Sequence, residues 1–326
     1  MSATVREAAP AHGERVSATT RTASDAEPAD KPVQYVTTPA WEGCDACDVS
    51  LVLEGGGMRG QFTGGVLDFF MEKHLFCKQV IGVSAGALMG YYYATGLYGQ
   101  SCYQNIKYCT DWRYLSLRSY VLTGNACGRE FFFHEVPEKL DPIDFSFYDR
   151  SPIRLTSVSS DLETGEALYH THRTSREVDY LIASSSMPLV SQIVELDGHK
   201  LLDGGTCDSV PIVHSLLTGM KKHIVVTTHE RGFVRKPNRM MALMHQRYAD
   251  YPYFVERAAM RHYDYNRTYR ALARMHDAGE AFVIWPPEPV TVSDVEHDPQ
   301  KLLDLYAQGY ETAARAWPAL MRYLEA

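Results

Sequence analysis

The chain has 326 residues, of which 45% are hydrophobic and 22% are charged, and its formal net charge is −8. These values predict a globular protein that buries a substantial core, in one large domain or in a domain with additions. The negative charge argues against a protein that binds nucleic acid through broad phosphate neutralisation, so we expect no nucleic-acid partner.

The seven cysteines are an odd number spread through the chain, unlike the dense even sets of secreted disulfide scaffolds. They favour a reducing compartment. Cys44 and Cys47 alone have ligand-like spacing, and neither a second pair nor two histidines follow at comparable spacing. We therefore predict two ordinary thiols here, no metal site and no cofactor.

Residues 1–40 are rich in Ala, Ser, Thr, Pro and charged residues and contain no continuous apolar block. This composition predicts a disordered leader rather than a secretory signal, which needs such a block. No run of about 18 apolar residues occurs in the chain, so we predict no membrane-spanning helix. We expect a cytoplasmic protein and leave peripheral contact with a membrane open.

Two strand-turn-helix units follow the leader. The first runs from "CDVSLVLEGGG" into the helical pattern "QFTGGVLDFFMEKH", and the second runs from "KQVIGVSAG" into "ALMGYYYATGLYG". Two such units in succession predict a parallel sheet covered by helices. Ligand sites in such sheets lie at the carboxyl ends of the strands.

The rest of the chain continues the α/β pattern. Residues 100–149 are irregular and aromatic, which predicts helical excursions that roof the site. Further along we predict a hairpin over 153–171, a short helix ending near Pro188, a strand ending at Asp203, a strand over 221–230, a long helix over 252–279, a strand over 280–287, and a closing helical segment over 298–326 interrupted near Pro318.

The glycine loop "GGGMRG", Gly55 to Gly60, satisfies the G-x-G-x-x-G pattern of dinucleotide sites. That pattern also needs an acidic residue near the end of the next strand, and "IGVSAG" has none. A P-loop would need Lys and Ser or Thr where Gln61 and Phe62 stand. We therefore expect the loop to bind an anion other than a nucleotide phosphate.

"GVSAG", Gly82 to Gly86, is a G-x-S-x-G pattern between a strand and a helix, the setting in which a serine sits on a tight turn with its hydroxyl exposed. The two glycines relieve crowding around Ser84. The amide of Ala85 at the helix N-terminus would point toward an oxyanion. We predict Ser84 as a nucleophile.

The two loops support one another if adjacent strands end at Gly55 and Gly82. The free amides of Gly56 and Gly57 and the side chain of Arg59 would then lie beside the Ser84 hydroxyl, where they suit a transient oxyanion. Arg59 has a second interpretation, as a solvated residue or the partner of an acid, and the sequence leaves both open.

A serine nucleophile needs a base. Asp203, in "LLDGGTCDSVP", ends an apolar run just before two glycines that allow close approach, although an Asp-Gly pair is also a common turn. No histidine after Ser84 follows a strand end with a loop and helix beyond it, which disfavours the candidates His214, His223, His229, His245, His262, His276 and His297.

Four ordered segments, "GGGMRG", "GVSAG", "ASSSMP" (Ala183 to Pro188) and "DGG" (Asp203 to Gly205), resemble the patatin-like phospholipase family, particularly its bacterial members. The resemblance covers roughly residues 49–226. It implies an α/β fold, a three-layer α/β/α sandwich with a mainly parallel sheet, and a serine-aspartate dyad without histidine. By the same resemblance the serines of "ASSSMP" belong to a structural loop near the dyad.

The resemblance assigns a role to each segment. Ser84 would be the nucleophile and Asp203 its base. The oxyanion hole would comprise Gly55, Gly56, Gly57, Arg59, Gly60 and Ala85, and the supporting glycines would be Gly82, Gly86, Gly204 and Gly205. On this basis we predict a catalytic core over 41–230 and a mainly helical extension over 231–326, packed on the core and containing one late strand.

The function predicted from these residues is hydrolysis of acyl esters of lipids, a carboxylic ester hydrolase of the phospholipase A or lipid acyl hydrolase type. Two alternatives stay open: a histidine-dependent α/β-hydrolase esterase, and a binding module that holds an anion or lipid headgroup without catalysis. Aromatic and Met-rich segments such as "YYYATGLY" fit either an acyl groove or a core. The basic stretch "HERGFVRKPNRMM" fits either an approach to anionic headgroups or a solvated surface.

Overall fold

The computed structural model describes residues 38–326. Residues 1–37 of the predicted leader lie outside the described residues. Eight strands form one sheet: β1 (Cys47–Leu53), β2 (Cys77–Val83), β3 (Arg154–Asp161), β4 (Ala167–Thr171), β5 (Val194–Leu196), β6 (His199–Asp203), β7 (Lys222–Val226) and β8 (Phe282–Ile284).

The strand order is β5-β6-β3-β2-β1-β7-β8, with β4 paired to β3. The five strands from β3 to β8 in that order pair in parallel. Strands β4, β5 and β6 join by antiparallel pairing. The sheet is therefore mixed but mainly parallel, which confirms the predicted α/β fold.

Ten α-helices surround the sheet in the part of the chain that the structure describes. They are α1 (Gly60–Glu72), α2 (Ala85–Thr95), α3 (Gln100–Tyr108), α4 (Leu117–Thr123), α5 (Ser146–Arg150), α6 (Val178–Ser184), α7 (Ile212–Leu217), α8 (Met241–Arg247), α9 (Pro252–Asp277) and α10 (Pro299–Glu325), and a π-helix covers Phe131–Leu140. Residues 100–149 contain α3, α4, the π-helix and most of α5, so the predicted helical excursions are present.

Successive residues of β1 pack on opposite faces of the sheet, as the two-residue period of a strand requires. Leu51 and Leu53 join a buried cluster with Phe62 of α1 on one face. Val52 joins a second cluster with Tyr265 of α9 on the other face. Because helices cover both faces, the architecture is a three-layer α/β/α sandwich.

The C-terminal helix α10 packs along α1 at very short range. A Cβ atom on Gly65 would collide with the Tyr306 carbonyl oxygen, and one on Gly309 would collide with the Phe62 carbonyl oxygen. The Tyr306 hydroxyl also donates to Asp68 Oδ2 at 3.0 Å. Residues 38–326 belong to one compact unit, and the division into a core and an extension at residue 230 stays a prediction.

The predicted interruption near Pro318 is wrong, because α10 continues unbroken from Pro299 to Glu325. Proline removes one helical hydrogen bond and crowds the preceding turn. Here Pro318 is exposed, so water can reach the carbonyl left without a donor. Ala313 and Leu320 on either side are fully buried, and their packing supports the continuous helix.

Strand β5 was absent from the sequence prediction, although a signal for it exists. Asp197 and Gly198 lie between β5 and β6, and both have positive φ, 50° and 84°. An Asp-Gly pair with these angles is the preferred two-residue turn of a hairpin.

None of the helices within residues 38–326 is both long enough and apolar enough to cross a membrane.

Candidate active site

Ser84 occupies the turn between β2 and α2 in a conformation that few side chains adopt. Its backbone angles are φ 53° and ψ −123°, and residues with a side chain reach such φ values only where the surrounding structure holds them. A Cβ atom on Gly86 would approach the Leu53 carbonyl oxygen to 2.5 Å, and one on Gly82 would approach the Ala87 nitrogen to 2.6 Å. The glycines therefore permit the tight turn that presents Ser84.

Ser184, at the end of α6, links the turn at Ser84 to strand β3 by hydrogen bonds. The Ser84 amide donates to Ser184 Oγ at 3.0 Å, and Ser184 Oγ donates to the Val158 carbonyl at 2.6 Å. Ser186 Oγ donates to the Ile182 carbonyl. The serines of "ASSSMP" are engaged in these bonds next to Ser84, in keeping with the structural loop that the resemblance implied.

Strand β3 brings Asp203 beside Ser84. Val83 pairs with Val158 of β3, and the next residue of β3, Ser159, pairs with Asp203 at the end of β6. Ser84 and Asp203 therefore leave the sheet at neighbouring positions. The Asp203 side chain is 7% exposed, and its Oδ1 accepts a bond of 2.7 Å from the Gly205 amide.

The electrostatics of Asp203 follow from its burial. Burial raises the pKa of the Asp203 carboxyl, and the Ser84 hydroxyl, the Gly205 amide and Arg261 each lower this pKa by a smaller amount. The net shift is upward. A carboxylate with a raised pKa is a stronger proton acceptor than an ordinary aspartate.

The glycine loop leaves several amides free between β1 and α1. Among the described residues, no acceptor receives the amides of Gly55, Gly56 or Gly57, or that of Ala85 across the turn. The loop's later amides are engaged, because Arg59 donates to the Gly56 carbonyl and Gly60 donates to the Gly57 carbonyl.

Arg59 pairs with an acid from the C-terminal region. Its Nη2 lies 2.6 Å from Asp294 Oδ1, and its side chain is only 11% exposed. The Asp294 carbonyl also accepts the Met58 amide at 3.2 Å. Gly57 has φ 54°, and a Cβ atom there would meet the Asp294 carbonyl oxygen at 2.6 Å. The segment at Asp294 therefore fixes the far side of the glycine loop.

Glu54, the residue before the loop, is the main feature that sequence reasoning missed. Its carboxylate is fully buried and accepts bonds from the Tyr265 hydroxyl, the Tyr269 hydroxyl at 2.6 Å and the Thr228 amide at 2.7 Å. Burial raises the pKa of Glu54. The sequence signal was a lone acid at the end of an apolar strand, directly before three glycines.

Two cavities open at Ser84. One, of about 90 Å³, has mainly apolar walls that include Met58, Leu88, Met89, Tyr92, Tyr114, Leu115, Phe132, Phe133 and Met187. The other, of about 270 Å³, is more polar, and its walls include the glycine loop, Arg59, Asp203, Ser209, Arg235, Arg261 and Asp294 beside several apolar side chains. No histidine within residues 38–326 lines either cavity.

One cluster of metal-type ligands occurs elsewhere in the described part of the chain. Ligand atoms of His170, His172 and Glu177 lie within 4.8 Å of one another. None of these three residues lines a cavity at Ser84.

Comparison with known families matches this chain twice. A model described as patatin-like phospholipase matches residues 51–216, about half of the chain and the whole of the segment from the glycine loop to Asp203. The chain belongs to the patatin-like phospholipase family. A second model, a domain of unknown function (DUF6363), matches residues 251–325 and therefore covers α9, β8, Asp294 and all of α10.

Several curated proteins are similar to this chain over about half of its length. "Uncharacterized protein YjjU" of Escherichia coli strain K12 is 25% identical over 197 residues, 55% of this chain and 52% of the relative. "Lysophospholipase NTE1" of Meyerozyma guilliermondii is 28% identical over 184 residues, 55% of this chain and 12% of the relative. "Neuropathy target esterase sws" of Drosophila melanogaster is 30% identical over 179 residues, 52% of this chain and 12% of the relative. The chain therefore spans about half of the bacterial relative and a small part of the other two.

Proposed function

We propose that this chain is a serine hydrolase that cleaves acyl esters of lipids, with Ser84 as nucleophile and Asp203 as base. The observation that carries the proposal is one juxtaposition. A serine with a φ of 53° and a buried aspartate with a raised pKa leave the sheet at neighbouring positions and face free backbone amides. Family membership and the names of the relatives agree with this chemistry.

In the first step, Asp203 accepts the proton of the Ser84 hydroxyl while Ser84 Oγ forms a bond to the carbonyl carbon of the ester. An aspartate of ordinary pKa is a poor base for a hydroxyl. Burial of Asp203 reduces that mismatch because it raises the pKa of the carboxyl. The same proton then passes to the leaving alcohol as its bond to the carbonyl carbon breaks.

The oxyanion formed in this step needs hydrogen-bond donors that are already in place. The amides of Gly55, Gly56, Gly57 and Ala85 have no other acceptor, so we assign them this role. The guanidinium of Arg59 is committed to Asp294, so we assign it to holding the loop and adding positive potential. The remaining glycines, Gly60, Gly82, Gly86, Gly204 and Gly205, permit close packing around the turn.

The second step releases the acyl group. Asp203 takes a proton from water as the water oxygen attacks the acyl carbon, and the bond between that carbon and Ser84 Oγ breaks, with the proton returning to Oγ. No other titratable side chain is required.

The apolar cavity is the proposed site of the acyl chain. Leu88, Phe132 and Phe133 line it, and it opens at Ser84. An acyl chain there is removed from water, which stabilises the complex in proportion to the apolar area buried. The segment "YYYATGLY" contributes to both the cavity and the core. Tyr92 lines the cavity, whereas Tyr93 is fully buried in the core.

Helix α4 supports peripheral contact with a lipid surface as part of the proposal. Its Leu117, Val121 and Leu122 are 76%, 74% and 63% exposed. The helix follows Leu115, which lines the apolar cavity. Exposed apolar side chains next to an apolar cavity suit a protein that takes substrate from a lipid interface.

Two observations weigh against a histidine-dependent esterase. No histidine in the described part of the chain lines either cavity at Ser84. One of the candidates, His229, stacks on Phe233, and burial together with the neighbouring arginines lowers its pKa to about 3.

Labelling with a serine-directed fluorophosphonate and hydrolysis of esters of graded chain length test the proposal. We expect the wild type to be labelled and to hydrolyse the esters, and Ser84→Ala to lose both. Ser185→Ala should keep the label, because the Ser185 hydroxyl donates to the Leu181 carbonyl. Ester hydrolysis by Ser84→Ala would contradict the assignment. A wild-type protein that binds lipid but accepts no label would support the binding-module alternative.

A further inference from the structure

We infer that Arg235 and Arg261 form a binding site for a net-negative headgroup of the lipid substrate, in the polar cavity beside Ser84. This inference rests on the proposed function and adds a substrate class to it. Both arginines lie outside residues 51–216, the part of the chain that matches the patatin-like family. Arg235 follows β7, and Arg261 lies on α9.

Neither guanidinium group forms a salt bridge within the described residues. Neither Arg235 nor Arg261 has a carboxylate within 4.0 Å among residues 38–326, whereas Arg59 in the same cavity pairs with Asp294. The Nε of Arg235 is buried without an acceptor. The only side-chain bond of Arg261 in the described part of the chain runs from its Nε to Ser209 Oγ, at 3.3 Å. The terminal nitrogens are therefore free to bind an anion.

Both arginines are held in place without using those terminal nitrogens. Asn266 accepts the Arg235 amide at 2.7 Å and donates to the Arg235 carbonyl at 3.0 Å. The Arg235 guanidinium lies over the Tyr265 ring, 4.1 Å from its centroid. Arg261 projects from the 26-residue helix α9. Because these positions are fixed in advance, little conformational entropy is lost when an anion binds.

The charge of the cavity favours an anion. Three arginines line it against two aspartates, and both aspartates are engaged, Asp294 with Arg59 and Asp203 with the Gly205 amide. Burial, and to a smaller extent Arg235, lowers the pKa of Arg261, while Asp203 and Asp294 raise it by less. A phosphate between the two guanidiniums would offset the cost of keeping them charged, and arginine binds phosphate through paired N–H donors.

The same walls disfavour a zwitterionic headgroup. A choline or ethanolamine group would bring a cation into a cavity lined by three arginines and two aspartates, of which Asp294 is paired with Arg59 and Asp203 is the proposed base. Ser84 lines both cavities, so one lipid can place its acyl chain in the apolar cavity and its phosphate in the polar one. The substrate class that fits is a lysolipid whose phosphate carries no cation, such as a phosphate monoester.

The test compares three substrates with the same palmitoyl chain: lysophosphatidic acid, lysophosphatidylcholine and monopalmitoylglycerol. We expect the wild type to prefer lysophosphatidic acid. Arg235→Gln and Arg261→Gln should each lower the ratio of kcat/KM for lysophosphatidic acid to that for monopalmitoylglycerol by about 10- to 100-fold. Arg235→Lys keeps the charge but not the paired donors, so its ratio of kcat/KM should lie between those of the wild type and Arg235→Gln.

Arg267→Gln is the matched control, because Arg267 lies on the same helix with a side chain that is 76% exposed and outside the cavity. It should keep the wild-type ratio. An unchanged ratio in both Arg235→Gln and Arg261→Gln, or a wild-type preference for lysophosphatidylcholine, would overturn the inference while leaving ester hydrolysis intact.

A binding measurement separates this inference from the proposed function. The Ser84→Ala variant is titrated with glycerol 3-phosphate, with inorganic phosphate and with lysophosphatidic acid. The double variant Ser84→Ala/Arg261→Gln is titrated with the same three ligands. Binding of lysophosphatidic acid that Arg261→Gln weakens at least tenfold supports the site even if the wild type hydrolyses none of the three esters. Inorganic phosphate bound as tightly as the lysolipid would overturn the headgroup assignment.

Discussion

The two cavities at Ser84 are built from different parts of the chain. Every residue that lines the apolar cavity falls between Gly57 and Met187, apart from Asp294. The polar cavity also draws on Arg235, Met244 and Arg261, which lie beyond the "DGG" segment in the chain. The apolar wall is therefore local to the segments that carry the proposed chemistry, whereas the charged wall depends on the C-terminal third of the molecule.

The two cavities therefore depend on different features of the chain: short motifs around Ser84, and the packing of the later helices on the sheet. The glycines of "GVSAG" permit the tight turn at Ser84 through close contacts with Ala87 and with the Leu53 carbonyl of the neighbouring strand. The charged wall depends on how α9 docks on the sheet, which is a property of the whole fold. Variants that affect the chemistry, one cavity or the docking of α9 should consequently give distinguishable results.

The largest effect is expected from Asp203→Asn, which touches the part common to both cavities. Asparagine has nearly the same shape but cannot take the serine proton, so kcat should fall by about 100- to 10,000-fold. The loss should be equal for charged and neutral esters and for short and long chains, measured by steady-state kinetics. A loss confined to anionic substrates would instead place Asp203 in the charged wall alone.

Leu88→Trp should alter only the apolar side. Leu88 lines the apolar cavity, and a larger side chain there should lower the ratio of kcat/KM for long acyl chains to that for acetyl esters by about tenfold, as overpacking costs of 1–3 kcal/mol imply. Leu217→Trp, at a side chain that is 80% exposed on α7, is the control. If Leu88→Trp leaves the chain-length profile unchanged, the acyl chain lies elsewhere.

The pH dependence follows from the raised pKa of Asp203. The proposed mechanism uses the ionised form of Asp203, so the rate should fall about tenfold per pH unit below a midpoint that lies above 3.8, the pKa of an ordinary aspartate. The free energy of unfolding depends on pH in the opposite direction to the rate. The raised pKa favours the protonated folded state, and that contribution is present below pH 3.8 and lost as pH rises through the folded pKa.

Asp203→Asn should therefore unfold at a higher temperature than wild type at neutral pH, and the difference should shrink as the pH falls. Thermal unfolding followed over a pH series measures both curves. A neutral-pH melting temperature below that of wild type would mean that the ionised carboxylate stabilises the fold.

The smallest effect on activity is expected from Tyr269→Phe, which weakens the docking of α9. It removes one of the three donors to the buried Glu54 carboxylate and should lower the free energy of unfolding by about 1–3 kcal/mol. Rates for charged and neutral esters should fall together. Tyr263→Phe on the same helix, with a side chain that is 60% exposed, should change neither quantity. Denaturant unfolding provides the measurement.

How far the sequence predicted the site depends on the range of the contacts involved. The strands, the tight turn at Ser84 and the loop to Asp203 follow from local patterns, and the structure brings these segments together. Arg235 lies in the basic stretch for which two interpretations stayed open, because charge alone cannot show whether a loop faces a cavity. Asp294 and Arg261 carried no signal, since nothing in their neighbours indicates which face of the sheet they reach.

The Asp197-Gly198 turn and Pro318 show the two ways in which local rules failed. The turn had a sufficient local signal that was not used, and β5 was missed as a result. At Pro318 the local rule was applied, but packing of Ala313 and Leu320 against the rest of the fold outweighed it.

The bonds from α9 to Glu54 also constrain the order in which the protein is assembled. Tyr265 and Tyr269 are 211 and 215 residues from Glu54 along the chain. A nascent polypeptide that has just exposed Ser84 and Asp203 at the ribosome still lacks the two hydroxyls that hold the base of the glycine loop, because translation proceeds from the N-terminus. The full set of bonds to Glu54 therefore forms only after α9 has been synthesised, and we expect the base of the glycine loop to reach its final arrangement later than the turn at Ser84.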